Sequence, residues 1–277
     1  MRQALCFFLL ILMIIPFSLA LGFSSERVYL VFDKAQYRLE IKEGEKTLYS
    51  FEAGYGLKSP LYKTKKGDLL TPEGIYTIKS IRPSQSYFYF VELSYPNEND
   101  LSWAYFRGEF KGESYEETNQ LGNEIGIHGE GPAKKEKGKR DLNWTKGCIA
   151  LSNEDLKTLL IYVRPGQRVF LLNSSKPLFE ILKKFAYPVK VKPLDFWEGE
   201  LYLKLSNETY WYFHLLEKAT GLKVLTFKEW IKGRLNTYLI SEPDGTLNHE
   251  KKIKETLLKN LYFIIEPKYR GRDYLWK

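Results

Sequence analysis

The stretch that decides the reading of this chain opens with Ile127-His128-Gly129 and closes with Trp144-Thr145-Lys146-Gly147-Cys148-Ile149-Ala150-Leu151. A cysteine that works as a nucleophile needs a base, an electropositive setting and backbone donors for the oxyanion it generates. Gly147 lets the peptide N–H groups beside Cys148 turn toward a bound carbonyl, and Lys146 adds positive charge. His128 is the only histidine ahead of the C-terminal region, where His214 and His249 lie. Each residue also has a plainer role open to it. His128 could be a hydrogen-bonded histidine at a strand end, and Cys148 a small buried hydrophobe beside Ile149 and Leu151.

Outward from that stretch the pattern is mostly β. Ile125-Gly126-Ile127 reads as a short strand delivering His128 at its end. Downstream of Cys148, Ser152 reads as an N-cap, and Leu156, Leu159, Leu160 and Val163 supply one apolar helical face before Pro165-Gly166 stops it. Arg168–Leu172 follows as a strand. Upstream, residues 26–51 alternate as strands with a turn at Glu43-Gly44, Thr71-Pro72-Glu73-Gly74 turns into a strand over residues 75–81, and residues 87–91 form another. Residues 94–124 are polar and glycine-punctuated and read as long loops, with Tyr115 as a groove-wall candidate. Lys134, Lys135, Lys137, Lys139 and Arg140 make residues 130–141 a solvated loop or a basic flap over an anionic substrate. Asn173-Ser174-Ser175-Lys176-Pro177 reads as a linker. Beyond it, Thr226-x-x-Glu229 predicts a capped helix to about Leu235. Ile253, Leu257, Leu258 and Leu261 predict a second amphipathic helix, and residues 262–265 a strand. Tyr210, Trp211, Tyr212 and Phe213 read as core rather than as a ligand platform.

Composition narrows the function classes. The chain has 277 residues, 44% apolar, 27% charged and 16% aromatic, with net charge +8. That is a globular, β-favouring composition with an affinity for anionic partners. Three His and two Cys exclude a zinc-finger or disulfide-framework protein, and no ligand spacing for a metal and no glycine-rich phosphate cradle is present. No metal or other cofactor is expected. Arg2, an apolar run over residues 4–15, Pro16 and Ser18-Leu19-Ala20 predict a signal peptide over residues 1–20. The mature chain is then extracytoplasmic (periplasm or cell wall), nucleic acid is excluded as a partner, and membrane contact is limited to an uncleaved signal segment. No cysteine follows the cleavage point for lipid attachment. Cys6 leaves with the signal, and Cys148 stays behind alone.

Together, His128-Gly129 and Thr145-Lys146-Gly147-Cys148-Ile149 resemble the paired motifs of the L,D-transpeptidase (YkuD-type) catalytic domain, a His-Gly or His-Ser element followed by Ser/Thr-His-Gly-Cys-hydrophobic. Gln36-Tyr37-Arg38-Leu39 and Thr71-Pro72-Glu73-Gly74 resemble the family's early strand and its Thr-Pro-x-Gly turn. The resemblance spans residues 26–173 and implies a mainly β fold, a sandwich with a short helix after the cysteine. A smaller α+β accessory region over residues 177–277 would follow. It implies Cys148 as nucleophile, His128 as acid–base partner, the Gly129 carbonyl as its orienter and the Gly147 and Cys148 amides as oxyanion hole. Thr145, Lys146 and Trp144 are the candidate substrate contacts, and peptidoglycan stem peptides the implied partner. The implied activity is transfer of a stem tetrapeptide, with loss of D-alanine, to an amine acceptor. Lys146 stands where many members carry His, and Ala150 where many carry Arg or Asn. This form resembles a branch that includes hydrolases and amidases of the same peptides, so an L,D-carboxypeptidase or amidase is the alternative. A non-catalytic wall-binding module is a further one.

Overall fold

Val28–Asp33 (β1) is buried at every position, the pattern of a strand covered on both faces. In the computed structural model, which describes residues 27–109, 119–136, 138–241 and 247–265, the alternation of β1 divides its side chains between two cores. Val28, Leu30 and Phe32 face one, Tyr29 and Val31 the other. Its parallel neighbour β10 (Arg168–Leu172) divides likewise, Val169 and Leu171 against Phe170 and Leu172. These strands sit mid-way in an eight-stranded sheet of order β3-β2-β1-β10-β4-β5-β6-β9. The others are β2 (Arg38–Glu43), β3 (Lys46–Glu52), β4 (Gly74–Ser84), β5 (Phe88–Leu93), β6 (Gly126–His128) and β9 (Ile149–Ala150). Just past β3, Gly54 exchanges two backbone hydrogen bonds with Ala150, at 2.9 and 2.8 Å. The sheet therefore curls until its two ends meet. A Cβ on Gly54 would lie 1.9 Å from the Pro132 carbonyl oxygen, so only glycine fits this closure.

The first core fills the curl, with Leu156 and Leu159 contributed by α2 (Asn153–Tyr162). Ser152 caps that helix, its hydroxyl accepting from the Asp155 N–H at 3.0 Å, as the sequence predicts. The second core lies on the opposite face of β1 and β10. It is closed by α3 (Leu178–Phe185), α4 (Leu247–Lys259) and an antiparallel sheet. That sheet comprises β11 (Tyr187–Lys192), β12 (Phe196–Lys204), β13 (Thr209–Lys218), β14 (Lys223–Ile231) and β15 (Arg234–Ser241), with β16 (Ile264–Ile265) beside β12. The chain is thus mainly β, with a short helix after Cys148 and a C-terminal part of mixed α and β elements.

Several local expectations are corrected. Residues 94–124 are not all loop, because Glu98–Phe106 forms a helix, α1. Asn97 and Asp100 cap it reciprocally, and seven of its nine residues are buried. A helix covered on nearly all sides shows no polar face to read. Its polar side chains are bonded instead, Asn99 to the Lys183 and Lys184 carbonyls at 2.9 and 3.0 Å and Ser102 to the Trp197 indole at 2.9 Å. Thr226 and Glu229 do not open a helix, since they lie in β14. There Leu225 and Phe227 face the core in strict alternation and the period of two prevails. Lys232 and Gly233, at φ of +50° and +76°, make the tight turn into β15. Residues 261–263 form a 3-10 turn, leaving only Ile264–Ile265 as strand. The basic run is a hairpin of β7 (Lys134–Glu136) and β8 (Lys139–Asp141), held to the sheet by an Arg140–Glu52 ion pair. On β13 the alternate rings Trp211 and Phe213 enter the core, while Tyr210 and Tyr212 take the other face. The predicted signal segment and Tyr115 lie outside the described residues.

Residues 173–177 are pinned down at both ends. Ser174 N–H donates to Asp33 Oδ1 at 3.0 Å, and the Lys176 ammonium reaches Glu73 at 2.9 and 3.1 Å. Glu73 also takes Lys34 Nζ at 2.8 Å, all three groups being buried. Removing one partner of such a cluster strands the others without compensation, at a cost of about 3–5 kcal/mol. Glu73→Gln should lower unfolding stability by about that amount in a urea titration. A loss below about 1 kcal/mol would show that the cluster is not a support.

Candidate active site

β6 and β9 are adjacent parallel strands with Ile127 opposite Ile149 and His128 opposite Ala150. Cys148 directly precedes β9 and so stands across from Gly126. His128, two residues beyond Gly126, points to the same face. The two candidate reacting side chains are therefore diagonal neighbours on one side of the sheet. Three rings enclose the imidazole: Tyr87 at 4.3 Å, Phe90 at 6.4 Å and nearly parallel, and Trp144 edge-on at 5.9 Å. His128 Nδ1 lies 2.8 Å from the Gly129 carbonyl. A carbonyl can only accept, so Nδ1 carries the proton and Nε2 keeps a lone pair. Burial pushes the imidazole pKa down, opposed by the Gly129 carbonyl and Glu130, so the ring is neutral at pH 7.

The turn that presents Cys148 is built by Thr145 and Gly147. The Thr145 hydroxyl donates to the Cys148 carbonyl at 2.6 Å and accepts from the Gly147 N–H at 3.2 Å. Gly147 has φ of +116°, and a Cβ there would come within 2.7 Å of the Leu70 carbonyl. Cys148 Sγ donates to the Glu124 carbonyl at 3.5 Å. Burial pushes its pKa up to about 11, with the Gly126 amide and the charge of Lys63 acting in the opposite direction. In the free protein both the thiol and the imidazole are thus held neutral.

Cys148 opens onto a cleft of about 420 Å³ bounded by Lys63, Lys66, Arg82, Tyr87, Glu124 and Lys146, among others. Among the described residues its lining carries four cations and one anion. A larger cavity, about 730 Å³, lies elsewhere among residues 164–168 and 262–265 and holds none of the candidate residues. Of the three expected substrate contacts only Lys146 lines the cleft. Thr145 is buried behind the turn with its hydroxyl fully engaged. Trp144 donates to the Pro132 carbonyl at 3.1 Å and carries the Lys134 ammonium 4.8 Å over its ring, which makes it a side wall for His128. The Gly147 amide is committed to Thr145, which leaves the Cys148 amide as the candidate oxyanion donor. The sequence marks residues 63–67 as a basic loop but assigns none of Lys63, Lys66, Arg82, Phe90 and Glu124 to the site. Only strand register, and the packing of residues 63–69 against residues 120–125, brings them to the thiol. Among the described residues no group of three His, Cys, Asp or Glu side chains could hold a metal ion.

The family model of the L,D-transpeptidase catalytic domain (YkuD) matches residues 27–171. The chain belongs to the L,D-transpeptidase family. Residues 172–277 lie outside that match. Solved structures similar to this chain include L,D-transpeptidase 1 of Mycobacterium tuberculosis, at 13% identity, covering 53% of this chain and 62% of that one with a TM-score of 0.30. An L,D-transpeptidase from Mycobacterium smegmatis is 15% identical, with 52% and 58% coverage and a TM-score of 0.33. One from Xylanimonas cellulosilytica is also 15% identical, with 52% and 59% coverage and a TM-score of 0.34. The chain therefore spans less than two thirds of each of these relatives. No curated protein matches it.

Two outcomes test the geometry. Alkylation of Cys148 by iodoacetamide should accelerate through the alkaline range, with a midpoint above the about 8.5 of an ordinary thiol. A rate already level at pH 7 would mean a pre-formed thiolate and contradict the neutral pair. Gly147→Ala should destabilise the protein by more than about 1 kcal/mol in thermal unfolding, because the added methyl meets backbone that has a left-handed turn around it.

Proposed function

We propose that this protein is a cysteine-dependent peptidoglycan L,D-transpeptidase working outside the cytoplasm. The strand register supports the reading: Cys148 directly precedes β9, the parallel neighbour of the strand that ends at His128, and Gly129 turns the imidazole so that Nε2 is its basic atom. Cys148 Sγ attacks the carbonyl carbon at the L-centre of the third stem residue, and the thiol proton passes to His128 Nε2. With both groups neutral at rest, proton transfer accompanies attack rather than preceding it. The Cys148 amide receives the oxyanion. Collapse breaks the bond to D-alanine, whose nitrogen takes the proton from His128, and a thioester remains on Cys148. An acceptor amine then attacks the thioester, giving a proton to His128 that returns to sulfur.

A second reading, the L,D-carboxypeptidase, shares the first half and ends with water attacking the thioester. It draws support from the cleft itself, because Lys63, Lys66, Arg82 and Lys146 repel a cationic amine. On either reading residues 177–277 form an accessory region that braces the cleft. Tyr62, on the loop leading to Lys63 and Lys66, donates to Glu180 Oε2 at 2.5 Å and lies 3.5 Å beneath the Lys176 ammonium.

Cys148→Ala should abolish formation of the acyl-enzyme detected by mass spectrometry, and His128→Ala should slow it by about 10²–10⁴-fold. A His128→Ala rate within a few-fold of the parent would remove the base from the scheme. A tetrapeptide donor offered with and without an amine acceptor separates the two endings. Cross-linked product supports transfer, and tripeptide alone at saturating acceptor supports hydrolysis.

A further inference from the structure

Arg82, Phe90 and His128 occupy one row across three neighbouring strands. Arg82 of β4 is in register with Phe90 of β5, and Phe90 with His128 of β6. The row is stacked as well as aligned. The Arg82 guanidinium carbon sits 4.9 Å over the Phe90 ring, whose other neighbour in the row is the imidazole, inclined to it by only 13°. Two strand spacings of about 4.8 Å put Arg82 roughly 10 Å from His128, with the buried Phe90 as an apolar spacer between them.

Arg82 sits on the wall of the cleft that holds Cys148, beside Ser84 and Ser86, and is exposed at its mouth. Its charge has no carboxylate bonded to it among the described residues. The carboxylate it influences through space, Glu92, is already held by Lys79 at 2.7 Å and Ser80 at 3.1 Å. Lys66 and Lys146, also at the cleft, are likewise without an ion-pair partner among the described residues, whereas Lys63 is tied to Asp68 at 2.7 Å. Glu124 is the only acidic residue on the wall among the described residues. A planar fork of donors fixed on an aromatic face is pre-organised for a carboxylate, which it grips through two parallel hydrogen bonds. Lysines nearby raise the local potential without fixing an orientation.

We propose that Arg82, supported by Lys66 and Lys146, is a carboxylate-binding subsite that sets which acyl donors reach Cys148. This rests on the donor being a stem peptide. Such a peptide offers two carboxylates within reach, the one on the leaving D-residue and the one on the side chain of a diamino-acid third residue. Holding either would align the scissile carbonyl with the thiol and would reject donors in which that carboxylate is masked.

The test separates the subsite from the chemistry by measuring binding as well as acylation. Three synthetic tetrapeptides are used: one with both carboxylates free, one amidated at its C-terminus and one amidated at the third side chain. Binding is measured by calorimetry on Cys148→Ala with and without Arg82→Gln and Arg82→Lys. Arg82→Gln should weaken the free-carboxylate peptide about tenfold or more, and Arg82→Lys should weaken it less. The amidated peptide that has lost the recognised group should already bind weakly and be insensitive to Arg82→Gln, which identifies the carboxylate concerned. Equal binding to both proteins, or equal sensitivity of all three peptides, would overturn the subsite. Acylation of the otherwise unaltered protein is read in parallel. Arg82-dependent binding without acylation would sink the transpeptidase reading and leave the subsite standing.

Discussion

The Glu73 carboxylate, buried between the ammonium groups of Lys34 and Lys176, is the interaction on which the arrangement of the chain rests. Lys34 follows β1, Glu73 ends the turn into β4, and Lys176 follows β10, so one charge ties together the exits and entries of the central strands. The same Lys176 lies over the Tyr62 ring, and Tyr62 in turn bonds Glu180 on α3. A line of buried polar contacts thus runs from the centre of the large sheet to the loop that walls the cleft. Desolvated ions of this kind are poor sources of net stability, yet they penalise every packing that leaves one of them unpaired.

Around the candidate nucleophile the chain uses backbone more than side-chain charge. The Gly129 carbonyl sets the imidazole tautomer, the Thr145 hydroxyl knits the turn, and the Glu124 carbonyl receives the thiol. The nearest cations serve the cleft, and they do not outweigh the burial of the sulfur. A thiol buried in this way is held protonated at neutral pH. A neutral thiol is a weaker target for stray electrophiles than a thiolate.

The sequence made β1 to β6, β10 and α2 legible because their periods and caps are clean, and it singled out His128 and Cys148 because residue type and order alone carry that signal. It could not disclose α1, where burial on nearly every side erases amphipathicity. It misread β14, where a cap-like Thr226 and Glu229 fall on a strand whose alternation of Leu225 and Phe227 decides the matter. Thr145 reads as a substrate contact by proximity to Cys148, but its hydroxyl faces inward. Arg82 and Phe90 gain meaning only from register, a property of strands lying some 40 residues from His128 in the chain.

The closure of the curled sheet has a kinetic side. β1 pairs with β10 across nearly the whole of the family domain, and Ala150 meets Gly54 across much of it. Contacts so distant in sequence carry a large loop-closure cost and form late and slowly. β9 has only two residues and draws its bonds from β6 on one side and Gly54 on the other. It has no local partner to form against first. Cys148, just ahead of β9, therefore reaches its place across from β6 late in folding, once the first strands and the last of the large sheet have found each other.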